Sequence, residues 1–191
     1  MLAEHQLSLP FLTLDTATGR SLEVLEKAKA QVGFIPNMYA GMAHCPGLLE
    51  TYLHGYGAFK QESGLTSAEQ EIVFLAISLE NGCEYCVGAH SMLAATRSGV
   101  PAATIEAMRA GTAIPDAKQA ALAHFTRFMV SSRGLPSKAE AKKFLDAGFT
   151  EKNILEILLA IAVKTISNYS NHMLHTPLDA PFKDWEWKDK R

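Results

Sequence analysis

Apolar residues recur at intervals of three and four along almost the whole chain, and this helical period limits the possible folds more than any other feature. Glu69 follows Thr66 by three residues, which is the spacing of a capping box at the start of a helix. No stretch alternates polar and apolar residues as a half-buried strand does. The sequence therefore predicts an all-α fold.

Glycine and proline residues divide the pattern into separate helices. The predicted helices cover residues 21–33, 46–61, 67–81, 83–99, 102–110, 116–132, 137–148 and 150–172. Residues 34–39 are predicted to form a turn fixed by Pro36. A chain of 191 residues with 48% hydrophobic residues suits one domain with a sizeable core. We expect a single domain over 1–191, with an N-terminal extension at 1–20 and a polar C-terminal tail at 176–191.

The charge balance argues against two classes of partner. The net charge is −2 and no long basic run is present, so neither nucleic acid nor an anionic membrane is expected. The apolar run at 154–163 is too short to span a bilayer and contains Glu156. The N-terminus lacks the pattern of an export signal, so a cytoplasmic location is expected. In a reducing compartment a C-x-x-C pair is more often catalytic or metal-binding than structural.

The segment CEYCVGAH places three reactive side chains together. On a helix, at about 100° per residue, Cys83 and Cys86 lie about 60° apart and His90 falls between them. The start of a helix favours a thiolate, because unpaired N–H groups and the helix dipole are found there. Cys86, one turn before His90, is the thiol that the imidazole reaches most easily, and Cys83 could close a disulfide with it. The alternative is a pair of small buried residues with an unrelated histidine.

Glu71 stands in the apolar run EIVFLAIS, where a carboxylate is costly unless it has a partner. The capping box uses Glu69, so capping does not explain Glu71. His90 is the expected partner, because a carboxylate can fix the tautomer of an imidazole and help it to move protons. The alternative is an outward-facing Glu71 on a helix that is less buried than its sequence indicates.

A second set of residues repeats the spacing of Glu71, the cysteine pair and His90. Glu156, Asn168, Asn171 and His175 stand at the same offsets of 0, 12, 15 and 19. This echo suggests an old duplication of a helical pair, whose second copy lost the thiols and lines the site of the first. The openings EIVFLAIS and EILLAIAV also match, but coincidence is the alternative, because the leucine, isoleucine and alanine they share are common residues.

The segment from Glu69 to His90 resembles the alkylhydroperoxidase D-like and carboxymuconolactone decarboxylase superfamily, in particular its peroxidase-related branch. It carries the family pattern of Glu, eleven residues, Cys-x-x-Cys, three residues and His. Weaker likeness extends over residues 34–182. The resemblance implies a helical bundle that assembles into trimers or hexamers. It also implies reduction of organic hydroperoxides without metal or cofactor, with electrons from a dithiol donor such as a lipoyl-bearing or thioredoxin-like protein.

The resemblance also implies a role for each site residue. Cys86 would attack the peroxide, Cys83 would resolve the sulfenate, and His90 with Glu71 would deprotonate Cys86. The best-studied alkylhydroperoxidases have a second histidine where this chain has Tyr85. For Tyr85 a packing role or an interface contact is expected over a proton relay, and without that histidine general disulfide exchange is an alternative activity.

His54 is a further candidate for the pocket, although helix packing is its more ordinary role. The third thiol, Cys45, precedes a proline and is expected to be buried and free.

Three other functions remain open from the sequence. A lactone-acting or decarboxylating member of the superfamily is the nearest, but such members generally lack the cysteine pair. A zinc module is the second, with Cys83, Cys86, His90 and Glu71 as ligands, although three of these would crowd onto two helical turns. A non-catalytic assembly protein is the third.

Overall fold

The computed structural model of the chain describes residues 2–189, and the regular structure of that part is helical throughout, as the sequence predicts. Nine α-helices precede one 3-10 helix within these residues. The α-helices are α1 (Gly19–Val32), α2 (Asn37–Met42), α3 (Pro46–Glu62), α4 (Ser67–Glu80), α5 (Glu84–Thr96), α6 (Ala102–Ala110), α7 (Ala117–Ser131), α8 (Lys138–Asp146) and α9 (Glu151–Leu174). The 3-10 helix spans Ala180–Trp185.

Helix α4 lies at the centre of the bundle and packs against α5, α7 and α9. All its residues from Gln70 to Leu79 are buried, as expected for a helix that is apolar on every side. The predicted capping box begins the helix: Glu69 N donates to Thr66 Oγ1 at 3.3 Å, and Thr66 N donates to Glu69 Oε2 at 2.9 Å. The central position of α4 carries Glu71 into the interior.

The predicted turn at 34–39 is wrong in its second half, where α2 begins at Asn37. Pro36 stands just before the helix, and the backbone N–H of Asn37 donates to the carboxylate of Asp179 at 3.1 Å. That carboxylate caps a helix that local sequence does not predict. Helix α2 then packs its buried residues against α9 and α3.

Helix α5 begins immediately after a tight turn that follows α4. Gly82 has a φ of 66°, a left-handed conformation that costs glycine little. The turn makes Cys83 the N-cap residue and places Cys86 in the first turn of α5. Helix α5 lies between α4, α9 and the 3-10 helix, so both thiols face the interior of the bundle.

Both terminal segments pack onto the bundle. The backbone N–H groups of Ala3 and Leu7 donate to carbonyls at the end of α9, at 3.2 and 2.9 Å. The C-terminal tail contacts Arg109 on α6. Arg109 donates to the carbonyl of Trp185 at 3.1 Å, and Trp187 Nε1 donates to the carbonyl of Arg109 at 3.1 Å. Both terminal segments therefore contact the helices, and a single domain over 1–191 stays a prediction.

The proposed duplication is not confirmed. Glu71 and His90 stand on two helices joined by a turn, whereas Glu156, Asn168 and Asn171 all lie on α9. His175 ends α9 in a left-handed conformation with a φ of 49°. Helix α9 is the longest at 24 residues, yet none of the described helices has the length and hydropathy that crossing a membrane requires.

Candidate active site

The two cysteines of the C-x-x-C pair lie side by side in the interior as free thiols. Cys83 is 1% exposed and Cys86 is 2% exposed. The side-chain amide nitrogen of Asn171 lies 3.7 Å from the sulfur of Cys83 and 3.3 Å from that of Cys86. One amide thus contacts both sulfurs, and a residue of the predicted echo lines the site. Cys45, predicted to be buried, is exposed at the start of α3.

The predicted contact between Glu71 and His90 is present. Glu71 Oε2 lies 2.8 Å from His90 Nδ1, and the other carboxylate oxygen accepts from Lys60 Nζ at 3.0 Å. Both members of the pair are buried, since Glu71 is 1% and His90 is 4% exposed. Because Nδ1 faces a carboxylate, the imidazole carries its proton on Nδ1 and keeps a lone pair on Nε2.

Lys164 is fully buried, unlike most lysines, which extend into solvent. Its Nζ lies 2.9 Å from His90 Nε2 and 5.7 Å from the centre of the Phe74 ring. Both ring nitrogens of His90 are therefore engaged, one by Glu71 and one by Lys164. Lys164 also interacts with the Cys86 sulfur, so deprotonation of Cys86 by His90 stays a prediction.

Sequence reasoning overlooked Lys164, although a signal for it exists. Lys164 interrupts the apolar run ILLAIAVKTI of the last helix in the same way that Glu71 interrupts EIVFLAIS. A charged residue in an apolar run needs a partner, and two such residues of opposite sign predict a buried network.

The pKa values of the two thiols move in opposite directions. Burial raises the pKa of Cys86, but a hydrogen bond from Cys83 and the charge of Lys164 outweigh it and hold the pKa well below that of an ordinary thiol. For Cys83, burial and the interaction with Cys86 raise the pKa well above the ordinary value. Cys86 is therefore the thiolate of the pair and Cys83 the protonated thiol.

The histidine and the glutamate have defined charge states. Burial, reinforced by the charge of Lys164, lowers the pKa of His90 against the opposing effect of Glu71. Burial raises the pKa of Glu71, but His90 and Lys60 together bring it below its usual value. At neutral pH the network therefore contains a carboxylate, a neutral imidazole and a thiolate.

A cavity of about 300 Å³, named here the Cys86 cavity, opens onto the thiolate. Its inner wall includes His90 and Lys164, and the rest of its lining is mainly apolar and aromatic. The aromatic lining residues are Phe34, Tyr39, Tyr52, Tyr56, Tyr85 and Phe182. A larger cavity of about 390 Å³ between α4, α6 and α7 has neither cysteine in its lining. The Cys86 cavity is therefore the candidate substrate site.

Tyr85 and His54, the two secondary candidates, are placed very differently. Tyr85 is buried, donates its hydroxyl hydrogen to Asp179 and meets the Phe182 ring edge-on at 6.0 Å. These contacts fit the packing role expected for Tyr85, and they join α5 to the C-terminal segment. His54 is exposed and is not part of the lining of the Cys86 cavity.

The arrangement does not support a zinc site. Within residues 2–189, no group of three or more His, Cys, Asp or Glu side chains is placed to hold a metal ion. Glu71 turns its two carboxylate oxygens to Lys60 and His90 instead of toward the sulfurs.

Residues 46–129 match the model of the carboxymuconolactone decarboxylase family. This segment contains the whole Glu-Cys-Cys-His pattern, but Lys164 and Asn171 lie outside it. No match was found among curated proteins.

Solved structures share the fold over most of the chain. The chain is similar to the alkylhydroperoxidase AhpD core of an uncharacterized peroxidase-related protein from Ralstonia eutropha JMP134, with 22% identity and a TM-score of 0.77 over 91% of this chain and 93% of that one. It is also similar to an uncharacterized peroxidase-related protein from Silicibacter sp. TM1040, with 22% identity and a TM-score of 0.76 over 95% of each chain. A third structure is a cysteine-to-alanine variant of the debrominase Bmp8 in complex with 2,3,4-tribromopyrrole, with 19% identity and a TM-score of 0.73 over 95% and 96% of the two chains.

The charge of Lys164 is expected to keep Cys86 ionised at neutral pH. In wild type, ultraviolet titration should detect one thiolate that persists well below the free-thiol pKa of about 8.5. Lys164→Met should move this transition upward, so that the thiolate at neutral pH is lost. Tyr39, which lines the same cavity, should not interfere, because burial raises its pKa to about 12. Lys142→Met, on exposed α8, is the matched control. An unchanged transition in Lys164→Met contradicts this assignment.

Proposed function

We propose that this chain, which belongs to the carboxymuconolactone decarboxylase superfamily and has its alkylhydroperoxidase D-like fold, is a thiol-dependent reductase of organic hydroperoxides. The observation that carries the proposal is the pair of adjacent buried sulfurs whose pKa values move in opposite directions beside Lys164. A structural pair of small buried residues does not need an ionised member. A thiolate is costly in the interior and is the form that attacks electrophiles.

The first step is attack of the Cys86 thiolate on the terminal oxygen of the hydroperoxide. The S–O bond forms as the O–O bond breaks, which leaves a sulfenic acid on Cys86 and an alkoxide. Lys164 lines the same cavity and is the nearest described ammonium to supply a proton to the alkoxide. The organic part of the substrate would rest against the aromatic walls of the Cys86 cavity.

Glu71 and His90 support this step through Lys164. The Glu71 carboxylate fixes the proton of the imidazole on Nδ1, and the Nε2 lone pair of His90 then orients the ammonium. In this proposal Lys164 is the group that acts on Cys86, since its Nζ is hydrogen-bonded to His90 Nε2 and its charge lowers the pKa of the thiol. Glu71 and His90 are thus positioning residues and Lys164 is the group facing the reacting atoms.

The second step joins the two sulfurs. The Cys83 thiol, kept protonated by its raised pKa, condenses with the sulfenic acid of Cys86 to give a disulfide and water. A dithiol reductant then reopens the disulfide by exchange. The sum is one hydroperoxide and one dithiol converted to an alcohol, water and the disulfide of the reductant.

A homo-oligomer, trimer or hexamer, belongs to the same proposal. Leu155, Leu158 and Leu159 on α9 are 67%, 40% and 36% exposed, and Tyr169 further along is 56% exposed. Large apolar side chains grouped on one helix mark a surface that another chain covers. This exposed group supports the assembly that the fold suggests.

Reductive dehalogenation of a small aromatic ring is the second candidate. It is favoured by the aromatic walls of the Cys86 cavity and by the fold shared with a debrominase that holds 2,3,4-tribromopyrrole. Bromide release from a brominated pyrrole, assayed beside hydroperoxide turnover with the same dithiol, separates the two activities. Dominant bromide release would favour the second candidate. Decarboxylation has less support, because it leaves the thiol pair unexplained.

Both cysteines of the pair are expected to be essential for hydroperoxide-dependent oxidation of a dithiol. Cys86→Ser removes the attacking sulfur, and Cys83→Ser removes the sulfur that resolves the sulfenate. Cys45→Ser is the matched control, because this exposed cysteine lies outside the lining of the Cys86 cavity. Turnover is measured as hydroperoxide consumed and dithiol oxidised. Full turnover by Cys86→Ser would refute the proposed chemistry.

Loss of the positioning residues is expected to slow the reaction without abolishing it. His90→Ala and Glu71→Ala should each reduce turnover by roughly 10²–10⁴, the usual scale for acid–base groups. The titration of Cys86 should move upward in both variants, which a purely structural defect would not cause. His54→Ala is the matched control, since this histidine is exposed outside the site. Equal effects of His54→Ala and His90→Ala would contradict the assignment.

A further inference from the structure

One face of α5 runs from the cysteine pair to a cation at the end of the helix. Cys86, His90, Leu93 and Arg97 follow one another at intervals of four, three and four residues, so they share one face. All four residues line the Cys86 cavity. At about 1.5 Å per residue, the Cα atoms of Cys86 and Arg97 lie about 16 Å apart along the helix axis. The cavity therefore follows α5 over about three turns.

The two ends of this cavity differ in their exposure to solvent. Cys86, His90 and Lys164 are buried. Among the lining residues, all of which belong to the described part of the chain, only Arg97 and Val32 are exposed. A cation and an apolar side chain therefore mark the solvent end of the cavity, whereas the thiolate belongs to its buried end.

The guanidinium of Arg97 is available to a ligand. Arg20 and Arg127 form ion pairs with glutamates. Arg97, in contrast, makes no hydrogen bond or ion pair through its side chain within residues 2–189. The lining of the Cys86 cavity also contains no aspartate or glutamate that could repel an anion. Because a guanidinium presents a planar fork of donors that matches a carboxylate, the solvent end of the cavity suits an acidic group.

We propose that the hydroperoxide reduced by this chain carries a carboxylate at the far end of a slender apolar body of medium length. This inference rests on the proposed function. The carboxylate pairs with Arg97, the body lies against the aromatic walls of the cavity, and the hydroperoxide group reaches Cys86. An extended chain of ten carbons spans roughly 10 Å at the advance per bond of an extended backbone, and the arginine side chain covers the rest of the distance.

The negative charges of the substrate and of the thiolate do not oppose this binding mode. Their separation along α5 exceeds the screening length of about 8 Å at physiological salt, and Lys164 interacts with the Cys86 sulfur. The chemical step is the one proposed above: the terminal oxygen joins the sulfur as the O–O bond breaks, and the alkoxide takes a proton to become a hydroxy acid. Arg97 thus determines specificity and takes no part in bond breaking.

The test compares an acid with its ester. The two substrates, ω-hydroperoxydecanoic acid and its methyl ester, share the apolar body and the hydroperoxide group, but only the acid is charged. Reduced protein is mixed with each substrate, and the second-order rate constant for formation of the disulfide between Cys83 and Cys86 is measured by mass. The ratio of the two rate constants isolates the contribution of the carboxylate, because a general defect of the site slows both reactions.

Wild type should react with the acid roughly tenfold to a hundredfold faster than with the ester, the scale of a hydrogen bond to a charged group. Arg97→Gln removes the charge at an exposed position and should bring the ratio to unity, whereas Arg97→Lys should restore part of the preference. Arg133→Gln is the matched control, because this arginine is also exposed and lies outside the cavity lining. A ratio of unity in wild type, or the wild-type ratio in Arg97→Gln, overturns the proposal.

A second measurement does not depend on peroxide chemistry. Isothermal titration calorimetry gives the affinity of decanoate for wild type and for Arg97→Gln. Wild type should bind decanoate at least roughly tenfold more tightly, and equal affinities overturn the proposal. Failure of every hydroperoxide, cumene hydroperoxide included, to form the disulfide in wild type would instead overturn the proposed function, while decanoate binding would still report on Arg97.

Discussion

The rest of the site depends on one constraint, the burial of the Lys164 ammonium. A fully buried cation costs several kcal/mol unless charges and hydrogen bonds compensate it. Compensation comes from the His90 lone pair at 2.9 Å and from the thiolate of Cys86, whose pKa the lysine lowers. On the other side of His90, the Glu71 carboxylate contacts the imidazole, and Lys60 pairs with Glu71 nearer the surface. The fold must therefore bring α3, α4, α5 and α9 together at one point, and the thiolate is part of what stabilises the lysine.

The same constraint makes two chemically identical residues unequal. Cys83 and Cys86 stand one helical turn apart, and both are buried. Lys164 lowers the pKa of both thiols, but Cys86 also accepts a hydrogen bond from Cys83, so Cys86 ionises and its negative charge then keeps the neighbouring Cys83 protonated. An ionised nucleophile beside a protonated partner is the state that a two-thiol cycle must start from. The asymmetry of the surroundings thus gives the proposed cycle its direction.

The sequence predicts those parts of the structure that depend on local pattern. The capping box of Thr66 and Glu69 and the contact between the isolated Glu71 and His90 follow from patterns within a segment of 25 residues. Three features come from partners that are distant in the chain. Asp179 caps α2 from 142 residues away, Lys164 meets His90 across 74 residues, and Tyr85 meets Asp179 across 94 residues. No local pattern contains such pairings, although the lone Lys164 in an apolar run is a signal that could be read.

In the proposed function, the residues that generate the thiolate differ from the aromatic residues that line the Cys86 cavity. This separation would allow one fold to accept different electrophiles. In the proposed reaction, the network from Lys60 to Cys86 supplies the thiolate and the aromatic walls hold the body of the substrate. These walls, which would select that body, come from α2, α3, α5, the 3-10 helix and the segment before α2. A hydroperoxide and a halogenated ring both present an electrophilic atom with a leaving group, so both require the same thiolate and different walls. Exchange of wall residues can therefore change the substrate while the network that makes the nucleophile stays the same.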